Sequence, residues 1–276
     1  MSDGVATMGM RYSSLIAHHP SLVLGAAYSL LSGSPRSLAM DAAEVVDTMD
    51  PPPRFENLEA IPATDPFLLV ANHFQSPRWW IGWVALAITD AVARARRAGN
   101  RDLHWAIISE WRWLEISGLW IPNPLTSLLF PRACRVWGQI AMPARPSDVA
   151  GRARALRQML EWLGLREGRS GAFPEPVGLF PEGRATSSLE EARPGTGSFL
   201  HRVSRMGVPL MPVGVRQEED GALVAAFGAP YRLGDPPVDR GEDLDDWARR
   251  RVMVSVARLL PREMWGAYAA AVEQAE

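Results

Sequence analysis

The chain has 276 residues, a formal net charge of −2 and a hydrophobic fraction of 47%, a composition typical of a globular protein and not of a disordered one. This near-neutral balance also argues against a nucleic-acid-binding surface. All 29 cationic residues are arginine, which excludes a Schiff-base lysine and the lysine of a phosphate-binding P-loop. The single cysteine, Cys134, excludes an internal disulfide and a cysteine cluster for zinc, and it fits a reducing compartment.

Residues 1–54 are predicted to form a helical N-terminal lobe. Residues 14–49 favour one or two short helices, interrupted at 32–35 and ended by the proline run at 51–53. We recognise no signal peptide, and the longest apolar stretches are shorter than the roughly 20 residues needed to span a bilayer. The remaining residues, 55–276, are expected to form one α/β domain.

Short apolar runs alternate with helical patterns along this second region. The predicted strands are 66–71, 103–109, 139–142, 176–181, 208–215 and 222–227. The predicted helices are 77–98, capped by Ser76 and Pro77, and then 111–117, 123–136, 147–165, 196–206 and 243–272. This alternation predicts an α/β fold with a single mixed, partly parallel sheet flanked by helices.

Polar residues follow two of the predicted strands at their C-terminal ends. Asn72-His73 closes the apolar run 67–71, and Glu182-Gly183-Arg184 follows a similar run. Open α/β sheets place their functional residues at the carboxyl ends of strands. We therefore expect a histidine and a glutamate–arginine pair to share one site.

An ordered set of motifs resembles the glycerophospholipid acyltransferase family. The motifs are Asn72-His73, the region 138–145, the tetrapeptide 180–183 and the segment 208–213, with 193–195 and 227–230 as further points of similarity. The resemblance covers roughly residues 55 to 270. Familiar members convert lysophosphatidic acid to phosphatidic acid with acyl-CoA or acyl-carrier protein. The resemblance therefore implies an acyltransferase-like domain with a role in phospholipid biosynthesis and lipid metabolism.

The resemblance also implies roles for individual residues. His73 is the general base that takes the proton of the acceptor hydroxyl as this hydroxyl attacks the acyl thioester, and Glu182 belongs to the same catalytic site. An imidazole with a pKa of about 6.5 suits such a proton transfer. No cofactor is implied beyond the thioester co-substrate, and the histidine spacing gives no metal site. The implied substrate-binding residues are Asn72, Arg145, Gly183, Arg184, Thr186 and Arg193.

The chain departs from the family pattern at two places. Arg78 stands five residues after His73, where the family has an aspartate that holds the tautomer of the ring. Three explanations are open: another carboxylate, such as Glu110 or Glu182, orients the ring; a backbone carbonyl does so; or the chemistry is lost. The family order Glu-Gly-Thr-Arg is also altered, because the arginine comes one residue early in the run 182–186.

The chain contains 11 tryptophans, several of them at 79, 80, 83, 105, 111, 113 and 120. Tryptophan suits a packed core as well as a membrane interface. The helix that begins near 79–83 is expected to line an acyl-chain groove or to dock on a bilayer, and both uses require partly exposed tryptophans. The expected location is cytoplasmic, peripheral at the cytoplasmic face of the membrane.

Three hypotheses about function remain at this point. The first is a peripheral-membrane acyltransferase that uses acyl-CoA or acyl-carrier protein and a lysophospholipid or glycerol-phosphate-type acceptor. The second is a non-catalytic lipid- or acyl-binding protein on the same scaffold, and the third is a thioester hydrolase in which His73 activates water. A carboxylate within hydrogen-bond reach of His73 would favour the first hypothesis over the second.

Overall fold

The computed structural model describes residues 20–96, 102–116, 119–145, 147–166, 173–236 and 243–274. Its strands are β1 (Arg54–Glu56), β2 (Leu68–Ala71), β3 (His104–Ile108), β4 (Arg112–Ile116), β5 (Leu119–Pro122), β6 (Ile140–Met142), β7 (Val177–Leu179), β8 (Leu210–Gln217) and β9 (Leu223–Phe227). A seven-stranded sheet has the order β1-β9-β8-β2-β7-β3-β6, and β4 and β5 form a separate antiparallel pair.

Most strands of the large sheet run in one direction. β2 is parallel to β7 and β8, and β3 is parallel to β6 and β7. β9 is antiparallel to β8, and β1 is parallel to β9. The predicted mixed, partly parallel sheet is therefore confirmed. The C-terminal ends of β2, β3, β6, β7 and β8 share one side of the sheet, which we call the carboxyl edge.

Helices flank this sheet, as predicted. None of the helices that the structure describes is long and apolar enough to span a bilayer. The helices are α1 (Pro20–Ser32), α2 (Leu38–Val46), α3 (Ile81–Ala95), α4 (Pro124–Val136), α5 (Val149–Trp162), α6 (Thr196–Arg205), α7 (Leu244–Ala257) and α8 (Ala269–Glu273).

β2 lies in the middle of the sheet and contributes to a hydrophobic core on each face. Side chains along a strand point alternately to opposite faces. Leu68 and Val70 pack in a cluster with residues of α5, α6 and α7, whereas Leu69 and Ala71 pack in a second cluster with residues of α3. All four side chains are fully buried, which explains why this strand has no polar alternation.

The predicted helix at 111–117 is wrong, because residues 112–116 form β4. This segment is short and contains tryptophan and isoleucine, which favour strands, and it pairs with β5. The predicted helix at 243–272 ends at Ala257 and is followed by two 3₁₀ turns and α8. Pro261 lies in this interruption, where it cannot donate the N–H that a continuous helix needs.

The predicted helix start at Ser76-Pro77 is also displaced, because α3 begins at Ile81. The Ser76 hydroxyl accepts hydrogen bonds from the N–H groups of Arg78 and Trp79 and closes a local turn instead. The indole of Trp79 is buried and donates to the carbonyl of Gly221. The predicted end near residue 98 lies outside the described residues.

Candidate functional site

The loops that follow β2 and β7 are joined by direct hydrogen bonds. The His73 N–H donates to Oε1 of Glu182 at 2.6 Å. The Thr186 N–H donates to the His73 carbonyl, and the Gln75 N–H donates to the Thr186 carbonyl, both at 2.9 Å. His73, Glu182 and Thr186 therefore lie together at the carboxyl edge.

Asn72 continues the sheet with its side chain. Its Nδ2 donates to the Val215 carbonyl at 2.9 Å, and its Oδ1 accepts from the Val215 N–H at 2.7 Å. These two bonds extend the pairing of β2 with β8 by a side-chain amide. Asn72 is only 3% exposed, so its amide supports the His73 loop and is not presented at the surface.

Glu182 is a buried carboxyl group that braces two loops. Oε1 accepts from the backbone of His73, and Oε2 accepts from the Glu190 N–H at 2.7 Å. Burial raises the pKa of Glu182 to about 7, while the two N–H donors act in the opposite direction. Glu182 thus fixes the backbone of His73 and does not contact its ring.

The ring of His73 stacks on Phe180, with centroids 5.0 Å apart and an interplanar angle of 14°. Its Nδ1 is buried and has no hydrogen-bond partner. Among the residues that the structure describes, no carboxylate lies within ion-pair distance of this ring. Burial, and secondly the charge of Arg193, lowers the pKa of His73 to about 4, while the Arg184 backbone acts in the opposite direction. The ring is therefore neutral at pH 7, which is the form that accepts a proton.

Arg78 is directed away from this ring. Its guanidinium donates to the carbonyl of Asp50 and packs against Gly221. Its Cζ lies 6.0 Å from the centre of the Trp79 ring. Arg78 therefore neither replaces the missing aspartate nor opposes protonation of His73, and the nearby cation is Arg193 instead.

Arg193 and Arg184 bring positive charge to the site. Gly183 has φ +62°, and a Cβ there would lie 2.2 Å from Nε of Arg193, so only glycine allows this approach. Arg193 Nη2 donates to the Gly183 carbonyl at 3.1 Å. Arg184 is 70% exposed and forms an ion pair with Glu190. Both guanidinium groups lie on the loop that carries Glu182.

Arg145 and Glu110 follow other strands of the same edge. Arg145 comes after β6, which β7 and β3 separate from β2. Its Nε lies 4.0 Å from Oε1 of Glu110, and Oε2 of Glu110 accepts from the Ser127 hydroxyl at 3.0 Å. Glu110 thus faces α4, and the proposed role of Glu110 in orienting His73 finds no support in its contacts.

The expected exposure of tryptophans holds for part of the set. Trp79 and Trp105 are each 1% exposed and belong to the core. Trp80 and Trp83 are half-buried and meet edge to face, with centroids 6.4 Å apart. Trp111 is 43% exposed, whereas the side chains at 113 and 120 lie outside the described residues.

Sequence reasoning missed an apolar surface on α1 and α4, which pack together. It consists of Leu24, Tyr28 and Leu31 on α1 and Leu125 and Leu128 on α4, each between 63% and 81% exposed. The pattern that predicts it is present: α1 contains no charged residue, and its three members recur at helical spacing. We call these five residues the apolar patch.

Two other features of the described residues lie outside the His73 site. A surface depression of about 310 Å³ on α5 is lined by Arg154, Arg157, Gln158, Glu161 and Trp162. Three carboxylates, those of Asp243, Asp245 and Asp246, have oxygens within 4.8 Å of one another at the start of α7. Asp245 already accepts from the N–H groups of Gly195 and Ser198, which accounts for its placement.

No family model and no curated protein matches the chain. Over most of its length, the chain is similar to a solved structure whose description is "Crystal Structure of the 1-acyl-sn-glycerophosphate (LPA) acyltransferase, PlsC, from Thermotoga maritima". The similarity covers 90% of this chain and 93% of that chain, with a TM-score of 0.47 and 17% sequence identity.

Proposed function

We propose that the protein transfers a fatty acyl group from acyl-CoA or acyl-carrier protein to a hydroxyl of a lysophospholipid or glycerol-phosphate-type acceptor. The observation that carries this proposal is the joining of the β2 and β7 loops, which brings a neutral histidine beside Arg193 at the carboxyl edge. The ordered motifs that resemble glycerophospholipid acyltransferases support the same activity.

In the proposed reaction His73 is the general base. Its imidazole accepts the proton of the acceptor hydroxyl while the hydroxyl oxygen forms a bond to the thioester carbonyl carbon. The carbon–sulfur bond then breaks, and the imidazolium gives the proton to the leaving thiolate. The products are the acyl ester and the free thiol. The lowered pKa of His73 keeps the imidazole unprotonated at neutral pH, and it also makes the free imidazole a weaker base, because the strength of a general base rises with its pKa.

Arg193 and Arg184 are proposed to bind the phosphate of the acceptor. Arginine presents a planar set of donors that suits phosphate oxygens. Arg193 lies against Gly183 on the loop next to His73, and Arg184 is paired with the half-exposed Glu190. A doubly charged phosphate would compete with the single charge of Glu190 for Arg184. Thr186 contributes its backbone to the loop, since its hydroxyl already donates to the Ser188 carbonyl.

The acyl chain is proposed to lie on apolar side chains at the end of β3. Ile107, on the same face of β3 as Trp105, is 38% exposed, and Trp111, which follows the strand, is 43% exposed. β3 is the neighbour of β7 in the sheet, so these side chains lie one strand away from the loop that carries Glu182. Burying them under an acyl chain removes apolar surface from water, which favours binding of the donor.

We further propose that the apolar patch rests on an anionic phospholipid bilayer, from which the lipid acceptor is drawn. The patch exposes only leucine and tyrosine side chains. α1 and α4 together contain two cations, Arg132 and Arg135, and no acidic residue, which complements an anionic surface. The Arg132 guanidinium donates to the carbonyls of Leu30 and Leu31 and so ties the two helices together.

The experiment that tests the activity compares the protein with its His73→Gln variant. Each is incubated with acyl-CoA or acyl-carrier protein and a panel of lysophospholipids, and the products are followed by mass spectrometry. We expect an acylated lipid whose formation falls about 100- to 10,000-fold in the variant, the usual contribution of a general base. His201→Gln, which changes a half-buried histidine of α6, is the matched control and should retain activity.

Two other outcomes would contradict acyl transfer. Release of free fatty acid without any acylated lipid would indicate a thioester hydrolase. Binding of lipid without turnover of either donor would indicate a non-catalytic lipid-binding protein. This hypothesis is motivated by Arg78 and the shifted Arg184, and the carboxylate that would have favoured acyl transfer over it is absent from the His73 ring among the described residues.

A further inference from the structure

Three aromatic rings form a continuous stack that ends at His73. The Phe180 ring lies between the other two: its centroid is 5.0 Å from that of His73 and 4.6 Å from that of Trp105. The interplanar angles are 14° and 6°, so the three rings are nearly parallel. Phe180 directly follows β7, and Trp105 lies on the neighbouring strand β3.

The inner end of this stack is fixed in the core. Trp105 is 1% exposed, and its Nε1 donates to the Thr89 hydroxyl at 2.9 Å. Its backbone N–H donates to Oε1 of Gln139 at 2.6 Å. On β7, a Cβ at Gly178 would lie 2.6 Å from the Trp105 ring, so glycine provides the space in which this ring lies flat. Trp105 therefore gives Phe180 a rigid surface to pack on.

The Arg184 backbone interacts with the His73 ring and raises its pKa, whereas the charged side chains that could set the plane of this ring are occupied elsewhere among the described residues. Glu182 accepts from the backbone of His73 and of Glu190. Arg78, at the position of the family's aspartate, donates to Asp50. Nδ1 of His73 is buried and has no hydrogen-bond partner. The aromatic contact on the face of this ring is Phe180.

We propose that Phe180, supported by Trp105, is the positioning residue for the His73 imidazole and takes over the orienting role that a carboxylate has in related sites. The proposal rests on the proposed function of His73 as a general base. Parallel stacking opposes rotation of the imidazole about its Cβ–Cγ bond, because rotation would drive the ring edge into the Phe180 face. Because Nδ1 is buried, Nε2 is the nitrogen that we propose accepts the proton of the acceptor hydroxyl.

The stack also keeps water from one face of the imidazole. Burial is the main cause of the low pKa of His73, about 4, and Phe180 contributes to this burial. Removing the flat ring at position 180 should thus change two properties of His73 at once: the orientation of its imidazole and its pKa. Substitution of a residue that only supports the fold should change neither the orientation of the His73 imidazole nor its pKa.

The test uses Phe180→Leu, which keeps an apolar side chain and removes the flat face. Phe180→Tyr restores the ring, and Phe55→Leu makes the same change at a half-buried phenylalanine packed on the same hydrophobic cluster as Phe180. The pKa of His73 is measured by NMR titration of the histidine ring protons, with the His73→Gln variant identifying its resonance. kcat and KM for acyl transfer are measured in parallel.

We expect Phe180→Leu to raise the pKa of His73 from about 4 toward its ordinary value and to lower kcat by about 10- to 100-fold, with KM little changed. Phe180→Tyr should return both quantities to wild-type values. Trp105→Phe, which loses the bond to Thr89, should shift both in the same direction by less, and it serves as the second variant if Phe180→Leu does not fold.

Failure of this proposal is distinguishable from failure of the proposed function. If the wild-type protein transfers no acyl group, the function is wrong, while the titration of His73 still reports on the stack. If the Phe180→Leu and Phe55→Leu variants have the same kcat and the same pKa of His73, Phe180 is not a positioning residue.

Discussion

Burial acts in opposite directions on the two ionisable groups at the centre of the site. It lowers the pKa of the His73 imidazole to about 4 and raises the pKa of the Glu182 carboxyl to about 7. In each case burial disfavours the charged form. Glu182 therefore becomes fully charged only above neutral pH, and in the charged form it is the better acceptor for the two backbone N–H groups that it holds.

His73 makes stability depend on pH. The imidazole takes up a proton at about pH 6.5 in the unfolded chain and at about pH 4 in the folded protein. Its contribution to the free energy of unfolding is therefore present above pH 6.5 and lost as the pH falls through about 4. We expect His73→Gln to lose less stability than wild type between pH 6.5 and 4 in urea unfolding. The expectation would be contradicted if the stability of His73→Gln fell with pH as steeply as that of the wild-type protein.

Arg193 is the second cause of the low pKa of His73, after burial. We expect Arg193→Gln to raise this pKa in an NMR titration, because a cation nearby disfavours a second positive charge. Arg184→Gln is the matched control, since Arg184 is exposed and neutralised by Glu190. A bound phosphate should act in the same direction as Arg193→Gln, so glycerol 3-phosphate should make His73 a stronger base. An equal effect of both substitutions would contradict this assignment.

At the scale of elements, the sequence predicts the strands that are buried on both faces. Runs such as 66–71 and 222–227 are apolar without alternation, and the observed β2 and β9 lie within them. β1 escaped prediction because it has only three residues, two of them exposed and charged. β4 and β5 escaped it because the stability of a short strand depends on its partner, which a local pattern does not contain.

The order of the motifs along parallel strands predicts that the two site loops lie close together. It does not predict which side chains of these loops are in contact. Arg78 finds the carbonyl of Asp50, which lies 28 residues earlier in the chain. The stack of Trp105 and Phe180 on His73 joins residues of three neighbouring strands or strand ends. Such contacts depend on how residues of neighbouring strands pack against each other. The spacing of residues within one segment therefore does not predict them.

The turn that carries Gly183 offers a test of how the loop positions Arg193. Gly183 and Gly195 both have positive φ, +62° and +86°, but only Gly183 contacts Arg193. Gly183→Ala and Gly195→Ala therefore share a backbone penalty of about 1–2 kcal/mol, and Gly183→Ala also displaces Arg193. We expect Gly183→Ala alone to raise KM for a phosphate-bearing acceptor. Equal KM values in steady-state assays of the two variants would contradict a role of Arg193 in phosphate binding.

At the scale of the molecule, the neighbouring helices α1 and α4 carry five exposed apolar side chains, whereas the tryptophans at the start of α3 are buried or half-buried. Trp79 is buried in the core, whereas Leu24 and Leu31 on α1 are 70% and 81% exposed. Exposed apolar side chains that are grouped on neighbouring helices are typical of an interaction site. We therefore propose α1 and α4, and not the start of α3, as the surface that would contact a membrane.

Substitutions in the apolar patch should weaken membrane binding without affecting the fold. Leu24→Glu combined with Leu128→Glu is expected to lower partitioning onto anionic phosphatidylglycerol vesicles by about tenfold or more. The double substitution removes apolar area that the bilayer would bury, and it adds negative charges that the anionic lipid repels. Val149→Glu combined with Leu156→Glu places the same charges on the exposed face of α5 and is the control. Equal sedimentation of the two variants with vesicles would exclude the patch as the docking surface.

Because β2 contributes side chains to both hydrophobic cores, it restricts where the chain tolerates insertions and deletions. One residue added within 68–71 would exchange the side chains of the two cores and turn His73 away from Glu182. On the other side of His73, the turn at Pro77 lies outside the sheet, so a change of length there would displace the buried Trp79 but would leave the register of β2 unchanged. When distant relatives are aligned, counting backward from the histidine to the strand is therefore more dependable than counting forward to the position of the missing aspartate.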